Sequence, residues 1–231
     1  MNFRSILIFV FSVSLMVSCA ENNSESKNKT NTEDTAKTKS TTKTESTPKT
    51  KDASNSKNES SNSRNETSEA LVASFVEARN NYDLATLTSL AVEDYTESFR
   101  NEIVEVKNRA ELLRNLDWAK ELSSKVTIKE VISANESEVV VIEEGTNYIN
   151  VALKRKARSF KTTYFLKDGK VLKQSFDNAP GEVFDGKEND RVYGDFERYC
   201  KVNNIQFSWR ATKEDGKTLR KALEKYANRK E

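Results

Sequence analysis

The chain has no histidine among its 231 residues and only two cysteines, Cys19 and Cys200. Without imidazole it cannot offer the usual zinc or iron ligand set, and a serine–histidine catalytic triad is excluded. We therefore expect neither a metal site nor a cofactor. Acidic and basic side chains are equal in number after residue 66, which argues against electrostatic binding of DNA or RNA.

Large apolar residues are missing from a long segment near the start of the chain. Between Glu21 and Glu66 there is no Val, Ile, Leu, Met, Phe, Trp, Tyr or Cys. Such a segment cannot bury enough apolar surface to offset the entropy lost on ordering. We therefore predict a disordered tether over residues 19–66.

The first 18 residues carry an apolar run from Ile6 to Val17, which is too short for a membrane span of roughly 20 residues. The run ends at Met16-Val17-Ser18-Cys19, which resembles the bacterial lipobox. The resemblance implies that residues 1–18 are a cleaved signal peptide and that Cys19 is acylated, for example with palmitate. A lipid-anchored protein of the cell envelope, at the outer membrane or cell surface, is then expected. An ordinary secretory signal with a chance cysteine is the alternative.

Cys200 is the only other thiol, so acylation of Cys19 would leave no partner for an internal disulfide. Its neighbours at helical spacing are Val192, Phe196 and Tyr199. This setting favours a small core residue over a nucleophile.

After residue 66 the apolar residues become periodic, which predicts an α+β fold. Helical spacing is typical of Ser68 to Asn80, of a short segment capped by Asp83, and of Arg109 to Leu122. From Val126 the period changes towards two and β-branched residues predominate. Strands are expected in four segments: Val126–Ile132, Val139–Ile142, an interrupted stretch from Tyr148 to Leu166, and Val171–Phe176 after the turn at Asp168-Gly169.

The order of helices followed by an antiparallel meander predicts an α+β roll, with a curved antiparallel sheet wrapped on the N-terminal helices. We place this domain at residues 67–177. Residues 178–231 predict a helix over Asp190–Val202, a strand through Ile205, Phe207 and Trp209, and a last helix capped by Thr212. This extension is too small to fold alone and is expected to pack on the roll.

One part of the domain resembles a known superfamily. Asn80-Asn81-Tyr82-Asp83-Leu84, followed by the acidic pair Glu93-Asp94, is similar to the opening of the nuclear transport factor 2 superfamily, also described as SnoaL-like or cystatin-like rolls. The resemblance implies a cone-shaped fold whose open end holds a small apolar molecule.

Enzymes of this superfamily, including ketosteroid isomerase, use a tyrosine on the first helix and an acidic base near the pocket mouth. The resemblance places these positions at Phe75 and Phe99, and neither phenylalanine can transfer a proton. Glu97 is the nearby candidate for a catalytic carboxylate, the alternative being an exposed strand-edge glutamate.

Other side chains are placed towards the cone interior by the same resemblance. Together with Phe75 and Phe99, the candidate pocket residues are Arg79, Trp118, Tyr148, Tyr164 and Phe176. The alternative is that the aromatic residues are core and the charged residues are solvated. The basic stretch Lys154–Arg158 allows two interpretations. It could contact phosphates or an anionic surface, or it could form salt bridges with Glu143 and Glu144 on the preceding strand.

Three function classes follow. The first is a non-catalytic envelope module that binds a small ligand or a protein partner. The second is a pocket enzyme of the polyketide cyclase, isomerase or dehydratase type working with Glu97, Asp117 or a tyrosine. The third is a structural or assembly role, with a homodimer formed through the sheet face.

Overall fold

The computed structural model of the chain describes residues 56–229, with their side chains from residue 65 onward. The predicted signal peptide, Cys19 and most of the predicted tether lie outside the described residues. The helices are α1 Ser56–Asn81, α2 Leu84–Leu90, α3 Arg109–Glu121, α4 Tyr148–Ala152, α5 Gly186–Val202 and α6 Lys213–Ala227. The strands are β1 Ala91–Phe99, β2 Ile103–Val106, β3 Lys125–Ala134, β4 Glu138–Thr146, β5 Arg158–Lys167 and β6 Lys170–Asn178.

The six strands form one curved sheet in the order β2-β1-β6-β5-β4-β3. All neighbouring pairs are antiparallel except β1 and β6, which run parallel. The β5–β6 hairpin turns at Asp168 and Gly169, whose φ values of 51° and 71° match the twist of a two-residue hairpin turn. The predicted α+β roll is confirmed, and its sheet is mixed at one pair.

Helix α1 packs across the sheet and supplies the main core. Val72, Phe75 and Val76 lie on its buried face at helical spacing, and α1 contacts β3, β4 and β6. Burying each of these side chains stabilises the fold by about 1.5–3 kcal/mol. The same cluster includes Leu87 of α2 and Leu112 of α3, so the first three helices share one core with the sheet.

The C-terminal extension packs on the roll through a second apolar cluster. Trp118 and Leu122 at the end of α3 meet Phe196 of α5 and Leu219 of α6. Cys200 is buried in the same cluster, and burial raises the pKa of its thiol to about 11. A thiol with a raised pKa stays protonated near neutral pH, and a protonated thiol is a poor nucleophile.

Three elements differ from their predicted form. Helix α1 begins at Ser56, so the last part of the predicted tether is helical, because a helix extends readily once a packed segment has nucleated it. The segment from Tyr148 opens with helix α4 instead of a strand, since Asn147 and Asn150 form a reciprocal capping box. Residues 205–209 form no strand, because they have no neighbouring strand with which to pair.

Within residues 56–229, no helix combines the length and the apolar character that crossing a membrane requires.

Gly216 determines how closely α6 approaches α3, which gives a test of this packing. A Cβ atom at this position would lie 3.1 Å from Cβ of Glu121 and 3.3 Å from Cα of Trp118, whereas one at Gly194 would meet nothing within 4 Å. We expect Gly216→Val to lower the free energy of unfolding by about 1–3 kcal/mol. The control Gly194→Val should change it by less than about 1 kcal/mol. Urea unfolding measures both, and equal effects would contradict the tight contact.

Candidate functional site

Arg79, near the end of α1, projects into the interior of the roll and joins two strands. Its Nη1 donates to Oε1 of Glu97 on β1 at 2.8 Å and to Oε1 of Gln174 on β6 at 2.8 Å. Tyr95 donates its hydroxyl to the same Glu97 oxygen at 2.8 Å. Glu97 and Gln174 are paired in register across β1 and β6, so the parallel strand pair brings them within reach of one guanidinium.

A second carboxylate, Glu143 on β4, continues this network. Its oxygens accept hydrogen bonds from Thr162 at 2.8 Å and from Tyr164 at 2.7 Å. Gln174 donates its amide N–H to Glu143 at 3.3 Å while its carbonyl accepts from Arg79. Gln174 therefore links the Arg79–Glu97 pair to Glu143, with both ends of its amide used.

Burial and charge act together on these groups. Burial alone would lower the pKa of Arg79, but the negative charge of Glu97 raises it above its ordinary value. Burial raises the pKa values of Tyr95, Tyr164 and Glu143. The two tyrosines therefore remain protonated and keep donating to the carboxylates.

A cavity of about 40 Å³ lies beside this network, between the end of α1, α3 and the first strands. Four buried polar atoms on its lining residues have no hydrogen-bond partner among the described residues: Glu97 Oε2, Asn115 Oδ1, Trp118 Nε1 and Ser124 Oγ. A buried polar atom without a partner costs about 1–3 kcal/mol. Four such atoms around one cavity therefore indicate a site built to receive polar groups.

The cavity has a defined chemical character. It presents two acceptors, from Glu97 and Asn115, one donor, from Trp118, and one hydroxyl that serves as either, from Ser124. Its volume of about 40 Å³ has room for about three groups of water size. Val106, Leu112, Leu116 and Val126 form its apolar walls.

The cone interior differs from the one that the resemblance implies. Arg79, Glu97, Glu143, Gln174 and their partners occupy its centre, and the cavity beside them has a volume of about 40 Å³. A small apolar molecule the size of a steroid does not fit this space. The reason is electrostatic, because the buried arginine needs carboxylate partners close to it.

Some of the predicted pocket residues meet at this site. Arg79 and Trp118 line the cavity, and Tyr164 belongs to the network. Phe75 lies beneath it, with its ring centroid 5.7 Å from that of Tyr95. Glu97 is fully buried on an inner strand, so it is not the exposed strand-edge glutamate that was the alternative.

The remaining candidates lie elsewhere. Phe99 and Phe176 form a separate small cluster with Phe160. Tyr148 packs against Arg220, whose guanidinium carbon lies 3.3 Å from the centre of the tyrosine ring, beside the C-terminal cluster. Asp117 is exposed on α3. These aromatic residues are core, as the alternative held, because they lie too far along the sheet or on the wrong helix.

Sequence reasoning missed six members of the site: Tyr95, Glu143, Thr162, Gln174, Asn115 and Ser124. Glu143 offered a signal, since it follows the apolar run Val139–Ile142 in a strand whose inner face is buried. Asn115 and Ser124 offered none, because ordinary polar residues on a helix face and in a turn are usually solvated.

Glu105 lies on the neighbouring strand β2, and the negative charge of the site affects its pKa. Burial raises its pKa from the ordinary 4.5 to about 7, and the negative charge of Glu97 adds to the effect.

Within the part of the chain that the structure describes, no group of three or more acidic or cysteine side chains could hold a metal ion.

Comparison with known proteins finds partial structural likeness at low sequence identity. No protein-family model matches the chain, and no curated protein matches it. An NTF2-like protein of unknown function from Cytophaga hutchinsonii ATCC 33406 is 14% identical, over 49% of this chain and 90% of that chain, with a TM-score of 0.38. A protein with a cystatin-like fold from Methylobium petroleophilum PM1 is 15% identical, over 52% and 80%, with a TM-score of 0.43.

An LEH-like epoxide hydrolase from M. tuberculosis is 14% identical, over 58% of this chain and 98% of that chain, with a TM-score of 0.44. At such identities and TM-scores these proteins are only similar to this chain in part of its fold. The α+β roll itself follows from the chain's own helices and six-stranded sheet.

Replacement of Arg79 tests the network. Arg79→Met would leave Glu97 and Glu143 buried without their cation, so we expect the free energy of unfolding to fall by about 3–5 kcal/mol. Arg114→Met, at an arginine that is 62% exposed, removes the same charge and should cost less than about 1 kcal/mol. Urea unfolding at neutral pH measures both. The double variant Arg79→Met with Glu97→Gln should recover part of the loss, and no recovery would contradict the assigned pairing.

Proposed function

We propose that this chain is an exported, lipid-anchored protein of the cell envelope whose roll binds a small polar ligand without catalysis. The observation that carries the ligand-binding part is the set of four unpartnered polar atoms around the cavity beside Glu97. The anchor rests on the resemblance of residues 16–19 to a lipobox. A partner protein, or a second copy covering the outer sheet face, is compatible with the same role.

The donor and acceptor pattern favours one kind of ligand. A primary carboxamide carries two N–H donors, for Glu97 and Asn115, and one carbonyl that accepts from Trp118 and Ser124. It would satisfy all four atoms with no added charge. Neutrality suits the site, because Glu97 is already paired with Arg79 at 2.8 Å and a further buried charge would need its own partner.

A binding role is favoured over acid–base catalysis by the composition of the lining. Among the described residues that line the cavity, Glu97 is the one carboxylate, and one of its oxygens has no hydrogen-bond partner. The amide, indole and hydroxyl beside it do not ionise near neutral pH and so cannot serve as the partner acid or base. Paired acid and base groups, which such enzymes use, are therefore missing from this lining.

One observation favours the enzyme alternative. Glu97 Oε2 has no hydrogen-bond partner among the described residues, and Trp118, whose Nε1 is likewise unpartnered, lines the same cavity. An isomerase, dehydratase or hydrolase turnover that Glu97→Gln abolishes would replace the binding proposal with that one.

Ligand binding is testable through the indole N–H resonances of the two tryptophans. Formamide, as a primary carboxamide that fits the cavity, should shift the indole signal of Trp118. Trp209 is an internal control, because its Nε1 already donates to Glu197 at 3.1 Å. Proton–nitrogen correlation spectra of the purified protein measure both signals during a titration.

Two controls make this experiment specific. N,N-dimethylformamide has the carbonyl but no N–H donor for Glu97 and Asn115, so it should bind more weakly and shift Trp118 less than formamide does at the same concentration. Glu97→Gln should weaken formamide binding by about tenfold, the usual cost of removing a charged hydrogen-bond acceptor, while Glu93→Gln at an exposed site of β1 should not. Equal shifts of Trp118 and Trp209 would contradict the proposed site.

The anchor is tested separately. Labelled palmitate fed to cells should enter the wild-type protein, because the Cys19 thiol is its proposed attachment point, and should not enter Cys19→Ala. The Cys200→Ala variant is the matched control and should be labelled like the wild type. Absence of label from the wild type, or its retention in Cys19→Ala, would contradict lipid anchoring.

A further inference from the structure

The basic stretch Lys154–Arg158 does not lie on a strand with acidic neighbours, as one interpretation of the sequence expected. Most of it forms the connection between α4 and β5. Glu143 points into the interior network, and Glu144 pairs with Lys129 at 2.9 Å. The salt bridges predicted with these two glutamates are therefore wrong, because helix α4 moves the stretch away from β4.

This connection borders a groove of about 550 Å³, whose other walls are the segment Glu182–Asp185, the first half of α5 and the end of α6. The volume is in the range of sites for small organic molecules. The groove is distinct from the cavity beside Glu97, since the two share no lining residue.

Arg155 is held in this groove by uncharged partners. Its Nη1 donates to the hydroxyl oxygen of Tyr193 at 2.6 Å and its Nη2 donates to Oδ1 of Asn189 at 2.7 Å. The guanidinium lies 4.9 Å from the centre of the Tyr193 ring. Both partners are buried residues of α5, so the guanidinium is fixed in place while no carboxylate among the described residues pairs with it.

Asn189 adds a second, oriented donor. Its Oδ1 must face Arg155, because a guanidinium offers only donors. The Nδ2 amino group therefore points away from Arg155, and Asn189 lines the groove. No described residue accepts a hydrogen bond from this amino group, so it is available to a ligand.

The charge of the groove is positive. Its lining includes six basic residues, Lys154, Arg155, Lys156, Arg158, Arg191 and Arg229, and four acidic ones, Glu182, Asp185, Glu188 and Asp195. All four acids are engaged. Glu188 and Asp195 bind Arg191, Glu182 lies 4.0 Å from Arg158, and Asp185 caps α5.

Neighbouring guanidinium groups repel each other here. Burial lowers the pKa of Arg158, and the positive charge of Arg155 lowers it further. An anion placed between them would remove this repulsion, because an opposite charge favours both cations.

We propose that this groove binds the oxyanion group, phosphate or carboxylate, of a small organic molecule, with Arg155 and Asn189 as its principal hydrogen-bond donors. Of the five guanidinium N–H donors of Arg155, two bind Tyr193 and Asn189 and three remain for an oxyanion, to which a guanidinium donates through paired N–H groups. Its fixation by Tyr193 and Asn189 reduces the side-chain entropy that binding would otherwise cost. This site does not depend on the function proposed for the cavity beside Glu97.

Equilibrium dialysis of radiolabelled inorganic phosphate against the purified full chain tests the proposal. We expect saturable binding of one phosphate per chain at constant ionic strength. Arg155→Gln should raise the Kd by about tenfold or more, since it removes charge-assisted hydrogen bonds. Arg114→Gln, an exposed arginine on α3, removes the same charge and should leave the Kd unchanged.

Asn189→Asp provides the second variant, because it nearly preserves the side-chain shape and places a negative charge at the groove. It should also weaken phosphate binding, and its circular dichroism spectrum reports whether the fold is kept. Phosphate binding that is absent, or that falls equally in Arg155→Gln and Arg114→Gln, would overturn the proposal.

Two competitors distinguish the sources of the oxyanion. Glycerol phosphate competes if a soluble metabolite is the ligand. Short-chain phosphatidylglycerol, used below its micelle concentration, competes if the groove receives a lipid headgroup. Competition by either glycerol phosphate or the lipid supports the site. If both fail, and acetate, which supplies only a carboxylate, also fails to compete, the proposal is contradicted.

Discussion

A single buried cation organises the interior of this roll. Arg79 reaches from the end of α1 to β1 and β6 and pairs with Glu97 at 2.8 Å, while Gln174 carries the network on to Glu143. An arginine in such a place requires carboxylate partners, because an unpaired charge in an apolar core is far more costly than a neutral polar group. The core therefore includes carboxylates that pair with Arg79 and tyrosines that donate to those carboxylates, where other rolls could have apolar side chains.

That requirement limits what the roll can bind. The network occupies the space that a wide apolar pocket would need, and the cavity beside it is small, with apolar walls and a few polar lining residues. Trp118 couples this cavity to the rest of the molecule. Its ring belongs to the cluster shared with α5 and α6, and the residue also lines the cavity, with its Nε1 buried and without a hydrogen-bond partner among the described residues. Since Gly216 lets α6 lie against Trp118, the C-terminal extension helps to position the indole.

Local signals predicted the elements well where the chain could satisfy them alone. Asp83 and Thr212 cap α2 and α6 as expected, and the Asp168-Gly169 turn joins β5 to β6. Prediction failed where the outcome depended on neighbours. Ile205 to Trp209 alternate like a strand yet pair with none, and their side chains pack on α5 instead. Alternation of apolar and polar residues indicates which side chains are buried. It does not ensure a strand, because backbone pairing also needs an available partner strand.

The sequence by itself determined the α+β class, the approximate positions of most helices and of four of the six strands, and the lack of any imidazole-based chemistry, because these depend on composition and on spacing along the chain. Glu97 could be named as a candidate, but its burial could not. Only the tertiary structure decided that Glu97, Gln174 and Glu143 meet under Arg79, and that Arg155 turns towards α5. The reason is that these residues lie far apart in the chain, and strand order and helix packing bring them together.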